Sequence, residues 1–579
     1  MSAKEGSWNG AWRLIAIGLV LTFGFSVVVT QIIHYQVIKH DDLAAMAEEQ
    51  FRREQIVRPD RGTICDVHGY PLALNITEWN VSVSPSLILD AKALAPTVAE
   101  ILDLPTEEVY TKMIADMPWV PLASNVPQEV GEEILALQEG GLICEPNDLR
   151  VYPEGESFPH MIGIVTKAGN GFYGLEGYYE PLLHGSDGKA ETELRPTGEE
   201  LPVRLLADNQ AKPGTHLYLT ADRNIQFIAE RELQNALDTY GADSGTIVIM
   251  NPKSGALLAS VSYPAYNPND FAGTDVSLMA DPAVSSMWEP GSIFKIITWS
   301  AALDAGVISP GMMVYDDGSI EVGGRLILNS DRKAHGNVSI TDALVKSLNT
   351  VASYISTTLG KDQFYTYLRR FGFGALTDVD LASEGPGMMK QPGDSNWFPS
   401  ELGTNSFGQG IAVTPIQMIT AVSAVANGGL LMQPYVVQRQ ISIDPETGEE
   451  RVVQRDPKIV RRAISQETAQ TMTQMLVQVI ERGATKAQVP GYRVAGKTGT
   501  AQIPTPYGYH PNDTIASFVG FAPADDPQFI ILVKLDRPKT SPWGSQTAAP
   551  TFRAIAERLL IYMQIPPDEI RLAQHQEGP

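Results

Sequence analysis

Twenty consecutive residues, Leu14 to Ile33, carry no charge. A helix over that run is about 30 Å long at about 1.5 Å per residue, the thickness of a bilayer's hydrocarbon core. Trp12 and Tyr35 stand at its two ends, where interfacial aromatics are favoured. A cleaved signal peptide would show a shorter apolar run with small residues close behind. Here the nearest such tripeptide, Ala45-Met46-Ala47, comes too late, and no Cys follows for a lipid anchor. The stretch is read as an uncleaved single-pass transmembrane helix over 14–35. Lys4 and Arg13 precede it, and Asp41 and Asp42 follow Lys39 on the far side. The positive-inside rule then makes 1–13 a cytoplasmic tail and places the remainder outside the membrane. No second apolar run of comparable length brings the chain back.

The other residues are expected to fold. Hydrophobic residues make up 43% of the 579 and charged ones 19%, which suits packed domains and not bulk disorder. A net charge of −24 argues against a nucleic-acid scaffold. Two cysteines, Cys65 and Cys144, exclude a disulfide framework and a four-cysteine metal site; one bridge stays open outside the membrane, although nothing in the sequence brings the two together.

Patterning divides the exterior part near 205–220. Before that boundary, Asp66-Val67-His68-Gly69 reads as a turn between extended runs, with a helical run through Glu48-Glu49-Gln50 ahead of it. Residues 95–140 read as helical. After it, Asp222 is placed to cap a helix to Tyr240, and GTIVIMN and ALLASVS flank a hairpin turn at Pro252–Gly255. Three more strands, YRVAGKTGTAQ, TIASFVGFA and QFIILVKLD, come near the end, before a closing helix from Pro550. Helical segments near 292–305, 341–359, 361–371, 415–427 and 465–482 lie between. A sheet drawn from both ends of a segment, with helices inserted, is an α+β arrangement.

Three short motifs carry the chemistry. Ser-x-x-Lys occurs at Ser186, Ser292 and Ser330. The first and last copies are polar and turn-like, and would leave their lysines hydrated and protonated. Ser292-Ile293-Phe294-Lys295 follows Glu289-Pro290-Gly291 and runs into Ile296-Ile297-Thr298-Trp299, which predicts a serine at a helix start with Lys295 one turn on. A hydrated lysine, pKa about 10.4, takes no proton at neutral pH. Apolar burial favours the neutral amine, which can then deprotonate Ser292 as a general base. Ser347-Leu348-Asn349 is read 55 residues downstream on an apolar helix. Lys497-Thr498-Gly499-Thr500 is read as an edge strand on which Gly499, lacking a side chain, admits a substrate backbone.

In this order the motifs resemble those of the acyl-serine transferases, the penicillin-binding proteins and serine β-lactamases. Arg61-Gly62-Thr63-Ile64-Cys65-Asp66, Gly174-Leu175-Glu176, Leu219-Thr220-Ala221-Asp222, Phe407-Gly408-Gln409-Gly410 and Phe518–Pro523 are similar to class B penicillin-binding proteins. Val67-His68 departs from the Arg-Asn common there. The resemblance implies a pedestal over 40–210 and a transpeptidase domain over 215–579, with a five-stranded antiparallel sheet, flanking helices and an all-helical subdomain. It implies cross-linking of peptidoglycan stem peptides ending in D-Ala-D-Ala, inhibition by β-lactams, and no metal or organic cofactor. Ser292 is implied as nucleophile, with its N–H and that of Thr500 as the oxyanion hole. Ser347 is implied as proton relay and Asn349 as the holder of the donor's amide. Lys497, Thr498 and Thr500 are implied to receive the terminal carboxylate. Without a Glu-Asp-x-x-Phe polymerase signature, the implied partner is a SEDS-type membrane glycosyltransferase, and Phe-Gly-Gln-Gly leans toward the septal subgroup. Two alternatives stay open. One is a β-lactamase-like hydrolase, for which Glu384 is the candidate to activate water. The other is a β-lactam sensor or inactive scaffold.

Overall fold

A computed structural model of the chain describes residues 8–43, 52–193, 204–205, 211–444, 447–505 and 508–576. These fall into two compact units, Met1–Asp60 with Gly185–Pro213, and Arg61–His184 with Gly214–Pro579. Lys4, Glu5 and the run through Glu48-Glu49-Gln50 lie outside the described residues.

The first unit contains the anchor helix α1 (Trp8–Ile33). The stretch long and apolar enough to cross a membrane runs from Trp12 to Ile38. Phe23 and Phe25 are fully displayed on it, 73% and 70% exposed. Its hydroxyls are satisfied within the helix, Thr22, Ser26 and Thr30 each donating to the carbonyl four residues earlier. These three hydroxyls therefore meet apolar surroundings already paired. The same unit holds a three-stranded sheet of Arg52–Val57, Gly188–Glu193 and Arg204–Leu205, in that order.

The second unit is built round a five-stranded antiparallel sheet of β1 (Ser244–Met250), β2 (Leu257–Tyr263), β3 (Ala495–Thr505), β4 (Gly508–Ala522) and β5 (Phe529–Asp536). The order across it is β2-β1-β5-β4-β3, which leaves β3 at an edge. Along β1, Ile247 and Ile249 pack with α2 (Arg223–Tyr240) and the closing helix Ala548–Tyr562, whereas Val248 and Met250 join the helical region on the other face. Both faces are covered, so the strand reads as a continuous apolar run and not as an alternation. Asp222 accepts from Asn224 N and Ile225 N and caps α2, as its sequence position predicts.

A second, seven-stranded sheet joins Ile64–Cys65, Pro71–Val83, Val120–Val126, Leu142–Val151 and His216–Leu219 to Val437–Ile443 and Glu450–Gln454. The predicted turn at Asp66–Gly69 forms. Asp66 Oδ1 accepts from His68 N and Tyr70 N, and His68 Nε2 lies 3.2 Å from Asp222 Oδ2. The reading of 95–140 as helical needs correction. Helices Ala91–Leu102, Thr106–Met113 and Gln128–Ala136 are present, but Val120–Val126 is a strand paired to Pro71–Val83. A partner 40 residues away decided that segment, not its local pattern. Gly174–Tyr178 is one short helical turn that inserts Glu176 (0% exposed) between Arg61 and Arg150. Arg61 Nη2 also reaches Glu180, at 2.6 Å. Cys65 is buried, Cys144 half-buried, and both are free thiols.

Candidate active site

The three motifs converge on one cleft of about 680 Å³, lined by Ser292, Ser347, Asn349, Thr498, Gly499 and Thr500 among others. Ser292 sits in a 3-10 turn, Gly291–Phe294, and Lys295 opens the α-helix that follows, α3 (Lys295–Asp304). Gly291 has φ +58°, and a Cβ there would come within 2.9 Å of Thr500 O. Only glycine lets the nucleophile turn lie against β3 in this way. Its N–H donates to Gly408 O at 3.1 Å, so the Phe-Gly-Gln-Gly segment backs the turn from behind.

Ser347-Leu348-Asn349 does not lie within one helix, contrary to the sequence reading. Ser347 and Leu348 fall in the break between α4 (Ile340–Val345) and α5 (Asn349–Leu359), Asn349 opens α5, and Ser347 has φ +58°, in the left-handed region. A non-glycine residue there is uncommon and is held by its surroundings. Those surroundings are a buried polar network. Asn329 Oδ1 accepts from Asn349 N at 3.0 Å and from Thr350 N and Oγ1, and its Nδ2 donates to Asp316.

Lys295 Nζ lies within hydrogen-bond reach of three acceptors: Ser347 O at 2.6 Å, Ser347 Oγ at 3.1 Å and Asn349 Oδ1 at 2.8 Å. Lys497 Nζ reaches the same Ser347 Oγ at 3.0 Å. The two lysines, 0% and 1% exposed, thus meet at one hydroxyl, with no carboxylate among the described residues bonded to either. Burial, with the charge of Lys497 added, brings the Lys295 pKa well below that of an ordinary lysine. Burial lowers Lys497 to about 7. An amine whose charged form is disfavoured by burial, next to a serine hydroxyl, is the setting a general base requires.

The edge-strand placement of Lys497–Thr500 holds. The reason given for Gly499 does not. A Cβ there would strike Ser517 Oγ and approach Ile293, so the residue is small because its inner face is pressed against β4 and the nucleophile turn. Thr500 Oγ1 accepts from Gly544 N at 3.1 Å. The other Ser-x-x-Lys copies do not build such a site. Ser186 and Lys189 are exposed, and so are Ser330 and Lys333, although Ser330 lines the rim of the cleft. Glu384 is not among the cleft's lining residues. Its Oε1 accepts from Thr377 N and Oγ1, both at 2.6 Å.

Residues 245–557 match the family model for the penicillin-binding protein transpeptidase domain, and 56–219 match the penicillin-binding protein dimerisation domain. The chain belongs to the penicillin-binding protein transpeptidases. It is 35% identical over 544 residues to stage V sporulation protein D of Bacillus subtilis, covering 92% of this chain and 83% of that one. It is 28% identical to the peptidoglycan D,D-transpeptidase FtsI of Escherichia coli K12, over 98% of this chain and 94% of the other. Among solved structures, penicillin-binding protein 3 of Mycobacterium tuberculosis, complexed with aztreonam, superposes with a TM-score of 0.69 at 27% identity, covering 89% and 98%. The α+β fold, the pairing of the two family regions and the serine acyl-transferase class are therefore those expected.

One wall of this penicillin-binding protein's cleft was missed in the sequence. Ser319–Val322 and Arg325–Leu328 form a hairpin whose loop is Gly323-Gly324, with φ +57° and +80°. Two glycines between short alternating runs are a recognisable turn signal. The hairpin is fastened to the motifs by Asn349 Nδ2, which donates to Leu328 O at 3.1 Å.

Proposed function

We propose that the chain is a membrane-anchored peptidoglycan D,D-transpeptidase that cross-links stem peptides through an acyl-serine intermediate at Ser292, in septal wall synthesis. The observation that carries this reading is the pair of buried, acid-free lysines sharing Ser347 Oγ. Ser292 Oγ attacks the carbonyl carbon of the penultimate D-alanine, and its proton passes to neutral Lys295 Nζ. The N–H groups of Ser292 and Thr500 hold the resulting oxyanion. As the C–N bond breaks, the proton moves through Ser347 Oγ to the leaving D-alanine amine. Asn349 holds the donor's amide, and Lys497, Thr498 and Thr500 receive the terminal carboxylate. Gly499 keeps β3 flat against its neighbour. An amine of a second stem peptide then attacks the ester carbonyl and loses its proton to Lys295, which returns it to Ser292 Oγ as the C–O bond breaks. A β-lactam acylates the same oxygen and stays.

In this reading the pedestal spans 40–210 and the transpeptidase domain 215–579. Residues 1–13 are cytoplasmic, 14–35 cross the bacterial inner membrane, and the catalytic part is extracytoplasmic. A SEDS-type glycosyltransferase supplies the glycan strands. The place of Glu384, bonded to its own loop, supports transfer over hydrolysis. Intact mass of the full chain in detergent with benzylpenicillin tests the whole scheme. A persistent adduct, absent in Ser292→Ala, is expected. Rapid loss of the adduct with drug consumption would mean a hydrolase, and no adduct would leave a scaffold.

A further inference from the structure

The cleft around Ser292 is walled by cations and by no acid. Among the described residues that line it, Arg325 and Arg332 are basic and none is Asp or Glu, in a chain of net charge −24. Both arginines are exposed. Elsewhere exposed or half-buried arginines are mostly engaged, as Arg482 is with Asp342 and Arg223 with Glu154. Neither cleft arginine has a hydrogen-bonded or ion-paired side-chain partner among the described residues. Glu289, which feels the charge of Arg325, is instead bonded to Gly410 N and Tyr509 Oη.

The backbone that carries both is fixed. Arg325 pairs with Val322 directly after the Gly-Gly turn. Arg332, at φ +57°, donates its N–H to Asn329 O at 3.0 Å. Asn329 is 3% exposed and bonds Asn349 N, and Leu328 O accepts from Asn349 Nδ2. The arginines thus stand on the same wall as Asn349, the residue assigned to the donor's amide. Leu326 and Leu328, 63% and 43% exposed, line the cleft beside them and offer an aliphatic surface.

We propose that Arg325 and Arg332 form a subsite that reads a free carboxylate at the end of an aliphatic side chain of the donor stem peptide. This carboxylate is distinct from the terminal one assigned to Lys497, Thr498 and Thr500. The proposal rests on the transpeptidase reading and names its preferred donor. Guanidinium groups suit the task because they present paired donors and never lose their charge. A cleft of one sign in a protein of the other also draws anionic peptides in.

The test uses three peptides ending in D-Ala-D-Ala, identical except at the third residue: 2,6-diaminopimelic acid with its carboxylate free, the same residue amidated, and lysine. Each is measured by the concentration that halves the rate of benzylpenicillin acylation of the full chain in detergent. The free carboxylate is expected to protect at a concentration about tenfold lower than the amide, the factor a charge-assisted bond supplies. In Arg325→Gln/Arg332→Gln, read as the ratio between peptides, the gap should close to about twofold. Equal protection by all three in the wild type, protection by none, or an unchanged ratio in the double variant each overturns the subsite. Failure of benzylpenicillin to acylate the wild type would overturn the transpeptidase reading itself.

Discussion

The pedestal side and the catalytic cleft both bury basic side chains, and they compensate the burial in opposite ways. Arg61 (9% exposed) and Arg150 enclose Glu176 (0% exposed), with Glu180 as a further acceptor, so the buried guanidiniums are paired with acids. Burial alone would lower the Arg61 pKa, but Glu176 and Glu180 outweigh it and the net shift is upward. Lys295 and Lys497 are buried more deeply and receive only neutral acceptors, chiefly Ser347 Oγ and Asn349 Oδ1. Their pKa values fall. The desolvation penalty is of one kind in both places, and the presence or absence of a carboxylate decides its result. With acids present the charge stays and ties segments together. With acids withheld the charged form is disfavoured, which is what a lysine serving as a base needs.

The largest effect should come from the cleft. Lys295→Met removes the base while filling its apolar site, and the second-order rate of benzylpenicillin acylation is expected to fall at least about a thousandfold. The pedestal should answer differently. Arg61→Met leaves Glu176 with Arg150 alone and removes the guanidinium from Glu180, and is expected to cost about 3 kcal/mol of stability, seen as a lower urea midpoint. The fraction still folded should acylate near the wild-type rate. If Lys295→Met destabilised the chain more than Arg61→Met, the amine would be carrying structural charge and the contrast would fail.

How much of this was legible depended on whether the deciding contact was local. Ser292 and Lys295 lie one turn apart, and the apolar residues after them state their burial, so nucleophile and base can be read from a few residues. Strands β1 and β5 and helix α2 are also written locally, as apolar runs and a capping Asp222. The Ser347 break was not legible. The apolar pattern runs through 341–359, and Leu348 at the start of α5 caps nothing with its side chain. The cap comes from Asn329, twenty residues upstream, whose Oδ1 accepts from Asn349 N. Val120–Val126 was missed for a similar reason, its partner being a distant strand. Gly499 was placed correctly for a wrong cause, because only the folded sheet reveals Ser517 beneath it.

A subtler separation of the two lysines should appear in pH dependence. Acylation needs Lys295 neutral, so the rate falls at low pH where that amine gains its proton. It also needs Lys497 charged to receive a carboxylate. With its pKa lowered to about 7, Lys497 loses that charge as pH rises, and kcat/KM for acylation should decline through about pH 7 on the alkaline side. Lys497→Arg keeps the charge at every accessible pH and should remove this limb, at a lower maximum rate. The sign for stability follows from the same shift. Between about pH 7 and the ordinary lysine pKa near 10.4 the folded chain binds fewer protons than the unfolded one, so this site's contribution to stability rises with pH across that window.

The smallest expected effect belongs to Glu384, and it tests whether the cleft is truly without an acid. Burial raises its pKa, opposed by the bonds from Thr377. Those bonds turn the carboxylate toward its own loop, 2.6 Å from both Thr377 N and Oγ1, and away from the lining of the cleft. A group so placed cannot position water against the ester on Ser292 without releasing both partners. Glu384→Gln should therefore change the lifetime of the penicilloyl adduct by less than about twofold, followed by intact mass after removal of free drug. A much longer-lived adduct would show that Glu384 reaches the ester in solution. The cleft would then resemble the pedestal in keeping an acid within reach of its cations, and the explanation of the low lysine pKa values by the absence of one would have to be given up.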